Sequence, residues 1–261
     1  GVLTLVMVLS LLPTVAWAAD TGDESAPQET EEAAEPTPQS SEGETTTPVN
    51  SADGELDLKD GSIVISATGY TQGDEETEYK GAYTISQTSE GSTTNTITVT
   101  GGDHTITLDG VNIDASNAGL CAFAIESGEV TLVLADKSKN TLKSGWINED
   151  NADTGISYAG LWVQEQAQVV IDGDTGKLTA VGGGSGSSSS QLGNTSLAAG
   201  IGASRAHASN KNDPWKSNVG TITIEGGVIT ATGSAAGTYG GAGIGGGNNN
   251  SEIIVNGGKV I

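Results

Sequence analysis

The stretch Ile106-Thr107-Leu108-Asp109-Gly110-Val111-Asn112-Ile113 contains the pattern that organises most of this chain. Its apolar residues alternate with Thr, Asp and Asn, and a period of two is typical of a half-buried β-strand. Similar phrases recur at residues 169–180, 222–231 and 253–260, and a looser version covers residues 130–142. The pattern therefore predicts a domain built from short, repeated strands.

The spacing of the repeated strands varies while the strand phrase itself stays constant. Successive copies lie 26, 37, 53 and 31 residues apart, counted along Leu108, Leu134, Ile171, Ile224 and Val255. Constant strands with variable connections are expected of a solenoid that carries inserted loops. We therefore predict an all-β fold, a right-handed parallel β-helix with residues 144–157 and 182–218 as inserted loops. A two-sheet β-sandwich is the alternative, because short strands with glycine-rich turns also suit it.

The distribution of glycine favours the same interpretation. The chain contains 39 Gly, which disfavours a helical bundle because each Gly costs about 1 kcal/mol relative to Ala inside a helix. The pairs Asp109-Gly110 and Asp172-Gly173 fall in the same phase of successive copies, which favours corners of a coil over hairpin turns. A second phrase, Ala-Gly followed by Leu or Ile, begins at Ala118, Ala159, Ala199 and Ala242.

The start of the chain has the features of an export signal. Residues 2–12 are mostly apolar but too few to span a bilayer, and the small-x-small triplet Ala16-Trp17-Ala18 follows them. We predict a signal peptide over residues 1–18, and hence export without stable membrane insertion after cleavage. Because the chain begins at Gly1 without Met and the last repeat stops at Ile261 in mid-phrase, we expect the native protein to extend beyond both ends.

Residues 19–58 are predicted to form a disordered acidic linker rich in Thr, Pro and Glu. Residues 20–58 contain twelve acidic side chains and no Lys or Arg, with little that could be buried. In residues 59–261, the predicted β-helix domain, 21 acidic residues stand against 10 basic ones, so the domain carries −11 of the net charge of −23. Nucleic acid is excluded as a partner, since its recognition requires a basic surface.

The chain offers few residues for catalysis. Arg205 is the only Arg, His104 and His207 are the only His, and Cys121 is the only Cys. Nucleophilic catalysis needs an oriented His beside a Ser or Cys, and no such pattern is present. The phrase Gly241–Gly246 matches a dinucleotide fingerprint in its letters, but another strand rather than a helix follows it. We therefore predict a protein that is not an enzyme.

Aromatic residues near the predicted loops are the candidates for ligand binding. Trp146, Tyr158 and Trp215 lie in or beside these loops. Exposed aromatic faces can stack on sugar rings amid polar hydrogen-bonding groups, which predicts a carbohydrate contact at these three residues. The alternative is that they tether the loops to the rest of the domain.

Two groups of acidic residues are candidates for binding a hard cation. Asp172 and Asp174 flank a glycine, and Glu149, Asp150 and Asp153 share one predicted loop. Calcium takes six to eight oxygen ligands, which carboxylates and carbonyls of such loops supply. The alternative is that these are solvated loop carboxylates.

Several of the phrases resemble a known family. Gly81–Ile85, Thr105–Ile113 and Asn140–Gly145 look like the secreted clostridial carbohydrate-binding β-helix family. The resemblance implies a pectate-lyase-like fold, bound calcium, and binding of polygalacturonate-type acidic polysaccharide without cleavage. The phrases at residues 222–233 and 241–247 also resemble large repeat-rich surface proteins of gut Firmicutes, which implies a bacterial cell surface.

These observations lead to three functional hypotheses. The first is a secreted or surface-associated, non-catalytic protein that binds polysaccharide or cell-wall glycan. Because the domain is acidic, an acidic polysaccharide would need a calcium bridge to reverse the local charge. The second hypothesis is a structural stalk or adhesin module, and the third is a polysaccharide lyase or hydrolase whose active site lies outside these residues.

Overall fold

The computed structural model of the protein describes residues 54–148, 155–184, 197–206, 218–236, 239–246 and 252–261. The predicted signal peptide, residues 1–18, and residues 19–53 of the predicted linker lie outside these ranges. Among the described residues, no helix combines the length and the hydrophobicity needed to cross a membrane.

Short β-strands dominate the described residues, which also include one 3-10 helix at Leu58–Asp60. The strands are β1 (Glu55–Asp57), β2 (Ile63–Ser66), β3 (Gly69–Gln72), β4 (Glu75–Glu78), β5 (Tyr83–Ser86), β6 (Ile97–Val99), β7 (Asp103–Asp109), β8 (Asn112–Asp114), β9 (Phe123–Ile125), β10 (Gly128–Leu134), β11 (Lys139–Lys143), β12 (Trp146–Asn148), β13 (Gly155–Ser157), β14 (Leu161–Val163), β15 (Ala167–Asp172), β16 (Lys177–Val181), β17 (Ile201–Gly202), β18 (Arg205–Ala206), β19 (Thr221–Ile224), β20 (Val228–Thr232), β21 (Ala235–Ala236), β22 (Tyr239–Gly240), β23 (Ile244–Gly245), β24 (Glu252–Val255) and β25 (Lys259–Val260).

Three large sheets contain most of these strands. Sheet A has the order β1-β5-β7-β10-β15-β19-β24, sheet B the order β23-β17-β14-β9-β6-β2-β3-β4, and sheet C the order β25-β20-β16-β11-β8. Neighbouring strands are parallel throughout sheets A and C, and in sheet B they are parallel from β23 to β2. The prediction of an all-β fold is therefore confirmed, with several parallel sheets.

The chain visits the three sheets in a fixed order. It passes from β7 in sheet A to β8 in sheet C and β9 in sheet B, and then returns to sheet A at β10. The same order of sheets, A then C then B, is repeated by β10, β11 and β14, by β15, β16 and β17, and by β19, β20 and β23. Neighbours within a sheet are thus equivalent strands from successive copies of the sequence phrase.

Equivalent apolar residues line up across the strands and form the core. One in-register row of sheet A consists of Tyr83, Ile106, Leu132, Ile171 and Ile224, all fully buried. A matching row of sheet B consists of Ile63, Ile97, Phe123, Leu161 and Ile201, also fully buried. Because side chains alternate between the two faces of a strand, the alternation seen in the sequence brings each of these residues to the inner face.

The folded part begins earlier than the sequence indicated. Residues up to 58 were predicted to belong to the acidic linker, yet β1 pairs with β5 and the 3-10 helix follows at once. Leu56 and Leu58 are buried in the core, at 3% and 0% exposure. These two apolar side chains among acidic neighbours draw the segment into the sheet, because burying a Leu contributes about 1.5–3 kcal/mol.

The two predicted loops contain regular structure. Within residues 144–157, β12 and β13 form an antiparallel pair, and β18 extends it into a small separate sheet. Within residues 182–218, β17 belongs to sheet B, where Ile201 lies in register between Leu161 and Ile244. The prediction that 182–218 is wholly a loop is therefore wrong, because Ile201 fills one core position of the parallel stack.

One buried polar residue interrupts the apolar rows of sheet C. Asn140 is 2% exposed and lies in register with Leu178. Its Oδ1 accepts a hydrogen bond from the Val111 N–H at 3.0 Å, and its Nδ2 donates to Ser138 Oγ at 2.8 Å and to the Lys177 carbonyl at 3.1 Å. The amide group therefore joins three consecutive segments of the chain.

The Asn140→Leu variant is expected to unfold more easily despite its apolar neighbours. The buried Val111 N–H would lose its acceptor, at a cost of about 1–3 kcal/mol in the free energy of unfolding. Urea unfolding followed by circular dichroism measures this change, with Thr141→Val on the same strand as the control. Equal stability of the Asn140→Leu and Thr141→Val proteins would contradict the role of this amide.

Asp57 holds the first strand to a later segment of the chain. Its carboxylate accepts hydrogen bonds from Lys59 N at 2.9 Å and Thr88 N at 3.2 Å, and also from the Thr88 hydroxyl and the Lys59 ammonium. Desolvation raises the pKa of this carboxyl, but the hydrogen bonds from Thr88 and Lys59 outweigh it and lower the pKa to about 2.

The Asp57→Asn variant is expected to be less stable than the natural chain at pH 7. Because the folded-state pKa lies below the ordinary value near 3.9, the stabilisation is fully present above about pH 4 and is lost as the pH falls toward 2. Urea unfolding at pH 7 and pH 2 measures the difference between the two proteins. A deficit that is as large at pH 2 as at pH 7 would contradict the assignment.

Candidate functional site

A tryptophan lies on the outer face of sheet B. Leu161 and Val163 of β14 are fully buried, so the residue between them, Trp162, points to the opposite face and is half-buried. Its in-register neighbours are Ala124 on β9 and Gly202 on β17. Because both neighbours are small, neither places a large side chain beside the indole along the sheet.

A cleft of about 250 Å³ opens beside this tryptophan, where the chain turns from sheet B to sheet A. The turn that connects β14 to β15 is fixed by two backbone hydrogen bonds, from Gln164 N to the Ile125 carbonyl and from Ala167 N to the Gln164 carbonyl, each 2.9 Å. The side chains of three successive turns line the cleft. These residues, called the Trp162 cleft below, are Glu126, Trp162, Gln164, Glu165, Gln166 and Asn218.

The indole of Trp162 has one polar atom without a partner. Its Nε1 is buried and, in the described part of the chain, no group accepts a hydrogen bond from it. Such a group costs about 1–3 kcal/mol and is uncommon in folded proteins. The indole also contacts the ring of Tyr158. The two ring centroids are 6.0 Å apart, and the two ring planes are inclined by 54°. The tryptophan that lines the cleft is therefore one member of an aromatic pair.

The chemical character of the Trp162 cleft is aromatic and polar. Gln164, Gln166 and Asn218 supply amides that both donate and accept hydrogen bonds, and Glu126 and Glu165 supply carboxylates that accept them. Glu126, Gln164, Glu165 and Gln166 stand on short turns between strands of parallel sheets, which limits their movement relative to the indole, and Asn218 comes shortly before β19. Such a combination suits a ligand with an apolar face and a rim of hydroxyl or amino groups.

A second cleft, of about 330 Å³, contains Trp146. The rest of its lining consists of polar residues, glycines and one alanine: Ser116, Lys143, Ser144, Gly145, Gly182, Gly183, Gly184, Ser234 and Ala235. Lys143 Nζ lies 2.9 Å from Asp114 Oδ2. Desolvation raises the pKa of Asp114, but hydrogen bonds from Ser116 and Lys143 outweigh it and lower the pKa below its ordinary value. Lys143, the cation of this cleft, therefore already forms an ion pair with Asp114.

The predicted aromatic residues fall at both clefts. Tyr158 follows β13 and its ring contacts Trp162, whereas Trp146 on β12 lines the second cleft. Trp215 lies outside the described residues. Trp162 lies between two buried apolar residues of one short strand, and this alternation is the signal that places it on the outer face.

Two of the predicted metal ligands, Asp172 and Asp174, lie in the part of the chain that the structure describes. Asp172 and Asp174 are exposed, and Asp172 Oδ1 accepts a hydrogen bond from Gly173 N at 2.7 Å. In the described ranges, no group of three or more His, Cys, Asp or Glu side chains could hold a metal ion. Calcium binding by Asp172 and Asp174 stays a prediction. Glu149, Asp150 and Asp153 lie outside the described residues, and calcium there stays a prediction.

Cys121 and His104 have side chains that are reactive in many enzymes, but here both make structural contacts. Cys121 Sγ donates to the carbonyl oxygens of Phe123 at 3.5 Å and Ala159 at 3.6 Å, and burial raises the pKa of its thiol to about 12. A thiol with so high a pKa is a poor nucleophile. His104 is 9% exposed, packs edge-on against Tyr83 and contacts the Gly101 carbonyl at 2.9 Å, so its ring belongs to the packing of β7.

Comparisons of the chain with protein-family models, curated proteins and solved structures find no match. The resemblance to carbohydrate-binding β-helix proteins therefore stays a prediction from the sequence phrases. Function has to be inferred from the two clefts and their chemistry.

Proposed function

We propose that this chain is a secreted protein of the bacterial cell surface that binds polysaccharide without cleaving it, with the Trp162 cleft as its principal site. The observation that carries the proposal is the half-buried indole beside three amides and two carboxylates. An aromatic face covers the apolar side of a sugar ring, while amides and carboxylates pair with its hydroxyl groups.

The size of the cleft fits one part of a long ligand. Its volume of about 250 Å³ lies below the roughly 300–1,000 Å³ of pockets that enclose a whole drug-sized molecule. A polysaccharide would therefore place one sugar residue against Trp162 and continue over the surface. Tyr158 supports the indole in this arrangement, because its ring packs at an angle against that of Trp162.

The proposed architecture is a right-handed parallel β-helix, in which each pass through sheets A, C and B forms one coil. The repeated order of the sheets and the parallel register of equivalent strands support it. A β-sandwich of the immunoglobulin type consists of antiparallel sheets, so the parallel pairing disfavours that alternative. In a β-helix the clefts would recur at corners of the coil, where one sheet gives way to the next.

A glycan array probed with the full chain tests the proposal. Retention of one class of polysaccharide is expected, with release when the same glycan is added in solution. Absence of binding to every glycan on the array would favour the structural stalk or adhesin module instead. Release of soluble products from a bound polysaccharide would contradict the non-catalytic role.

Binding to polygalacturonate is expected to depend on calcium. The chain carries a net charge of −23, so direct contact with a polyuronate is repulsive unless a divalent cation bridges the two. Affinity electrophoresis in gels containing polygalacturonate, with calcium or with a chelator, measures this dependence. Retardation that persists unchanged in chelator would contradict it.

A further inference from the structure

The ionisable groups that the structure describes in the Trp162 cleft share one sign. Glu126 and Glu165 are both exposed, and the described residues of the lining include neither Lys nor Arg. The ion pairs formed between described residues engage Asp57, Asp60 and Asp114, so the two glutamates stand without a cationic partner in that part of the chain.

An in-register row on the outer face of sheet A contains three acidic residues. Glu129 of β10 lies in register with Asp103 of β7 on one side and with Gln168 of β15 on the other. Beyond Gln168 the row continues through Thr221 to Glu252. Asp103, Glu129 and Glu252 are exposed, and the row contains no basic residue. Successive positions are about 4.8 Å apart, so the carboxylates extend along the stack of strands.

This arrangement has an energetic cost in the free protein. Like charges placed directly opposite one another on neighbouring strands are destabilising, and Asp103 faces Glu129 in this way. Gln168 Nε2 donates to Glu129 Oε1 at a long 3.4 Å, which adds a weak contact but no positive charge. A cationic ligand would remove this repulsion on binding.

We infer that the Trp162 cleft and the acidic row select a glycan that carries protonated amino groups, an inference that rests on the proposed carbohydrate-binding function. An ammonium group pairs with Glu126 or Glu165 and is also attracted to the face of the indole. Further amines of the same chain would meet Glu129 and Asp103. A neutral glycan gains only the stacking and the amide hydrogen bonds, and a uronate is repelled.

The size of the selectivity follows from the exposure of the two glutamates. Each exposed ion pair contributes little, because water and salt screen it, and two pairs together correspond to about two- to thirty-fold in affinity. The preference should be largest at low ionic strength, because the Debye length is about 30 Å at 0.01 M salt and about 3 Å at 1 M.

The test compares two ligands of the same sugar backbone that differ in N-acetylation and therefore in charge. Isothermal titration of the full chain with a β-1,4-linked glucosamine hexamer and with its fully N-acetylated counterpart, at pH 6 and low salt, should give tighter binding of the amine by about two- to thirty-fold. The combined Glu126→Gln and Glu165→Gln variant should show a clearly smaller preference for the amine than the natural chain, with only the contribution of Glu129 and Asp103 remaining. Glu75→Gln on β4, five strands away from β14 in sheet B, should keep the preference of the natural chain.

The possible outcomes distinguish this inference from the proposed carbohydrate-binding function on which it rests. Equal binding of the two hexamers by the natural chain overturns the amine selectivity but leaves carbohydrate binding in place. A preference that is undiminished in the double variant also overturns it, since the net charge rather than the cleft would then be responsible. Loss of all glycan binding, on the array as well as in titration, overturns the proposed function itself.

Discussion

Replacing Trp162 by alanine is expected to reduce glycan affinity by about thirty-fold or more while leaving the fold intact. Loss of a central aromatic anchor typically costs about 2 kcal/mol or more in binding free energy, and about 1.4 kcal/mol corresponds to a factor of ten. The side chain lies on the outer face of β14, opposite the buried Leu161 and Val163, so its removal leaves the core rows unchanged. Titration with the best glycan of the array measures the change.

Trp146→Ala is the matched control for this prediction. It removes an indole from the second cleft, on the small antiparallel sheet, and is expected to change affinity less than Trp162→Ala does. Urea unfolding of both variants shows whether either substitution disturbs the fold. Stronger loss of binding in the Trp146→Ala protein would move the principal site to the second cleft.

Gly200→Ala is expected to be among the most destabilising single substitutions in the chain. A Cβ at Gly200 would lie 2.5 Å from Thr232 N, 2.8 Å from the Gly243 carbonyl oxygen and 2.9 Å from the Ala180 carbonyl oxygen, all of them backbone atoms. Backbone held by parallel sheets cannot move aside as a side chain can, so we expect a cost near the upper end of overpacking, about 3 kcal/mol. The melting temperature should fall by about 6–12 °C.

Gly240→Ala is the control for the same chemical change in open space. Among the atoms of the described residues, a Cβ there would meet the Ser234 carbonyl oxygen alone, at 3.9 Å, and Gly240 is exposed. Its melting temperature is expected to stay close to that of the natural chain. Differential scanning calorimetry measures both melting temperatures. Similar values for the two variants would show that close approach of the backbone is not what requires a glycine at position 200.

The strands could be predicted from the sequence because the alternation that defines them lies within a few consecutive residues. The alternation in Ile106–Ile113 places every second side chain on one face, and repetition of the phrase at Val169 and Ile222 indicates equivalent strands. The structure places these copies side by side in parallel register. By contrast, the pairing of β12 with β13 depends on contacts between short strands that carry no repeated phrase, and so the sequence indicated only a loop.

The Trp162 cleft could not be predicted from the sequence in the same way. Glu126, Gln164 and Asn218 belong to three different turns, and only the stacking of successive strands brings those turns together. The indole itself carried a weak local signal, since Leu161 and Val163 predict an outward position for the residue between them. The role of Gly200 was partly visible in its Ala-Gly-Ile phrase, but the backbone atoms that exclude a Cβ come from Ala180, Thr232 and Gly243.

The hairpins that end sheet B have a consequence for self-association. Strand β4 is the outermost strand on that side, joined to the parallel strands through the antiparallel pairs β2–β3 and β3–β4, and Glu75, Glu76 and Glu78 on it are exposed. An unprotected outer strand is a template for fibril growth by a second molecule. Three carboxylates on four residues make two such edges repel each other, so this side of the molecule is protected from fibril formation by electrostatic repulsion.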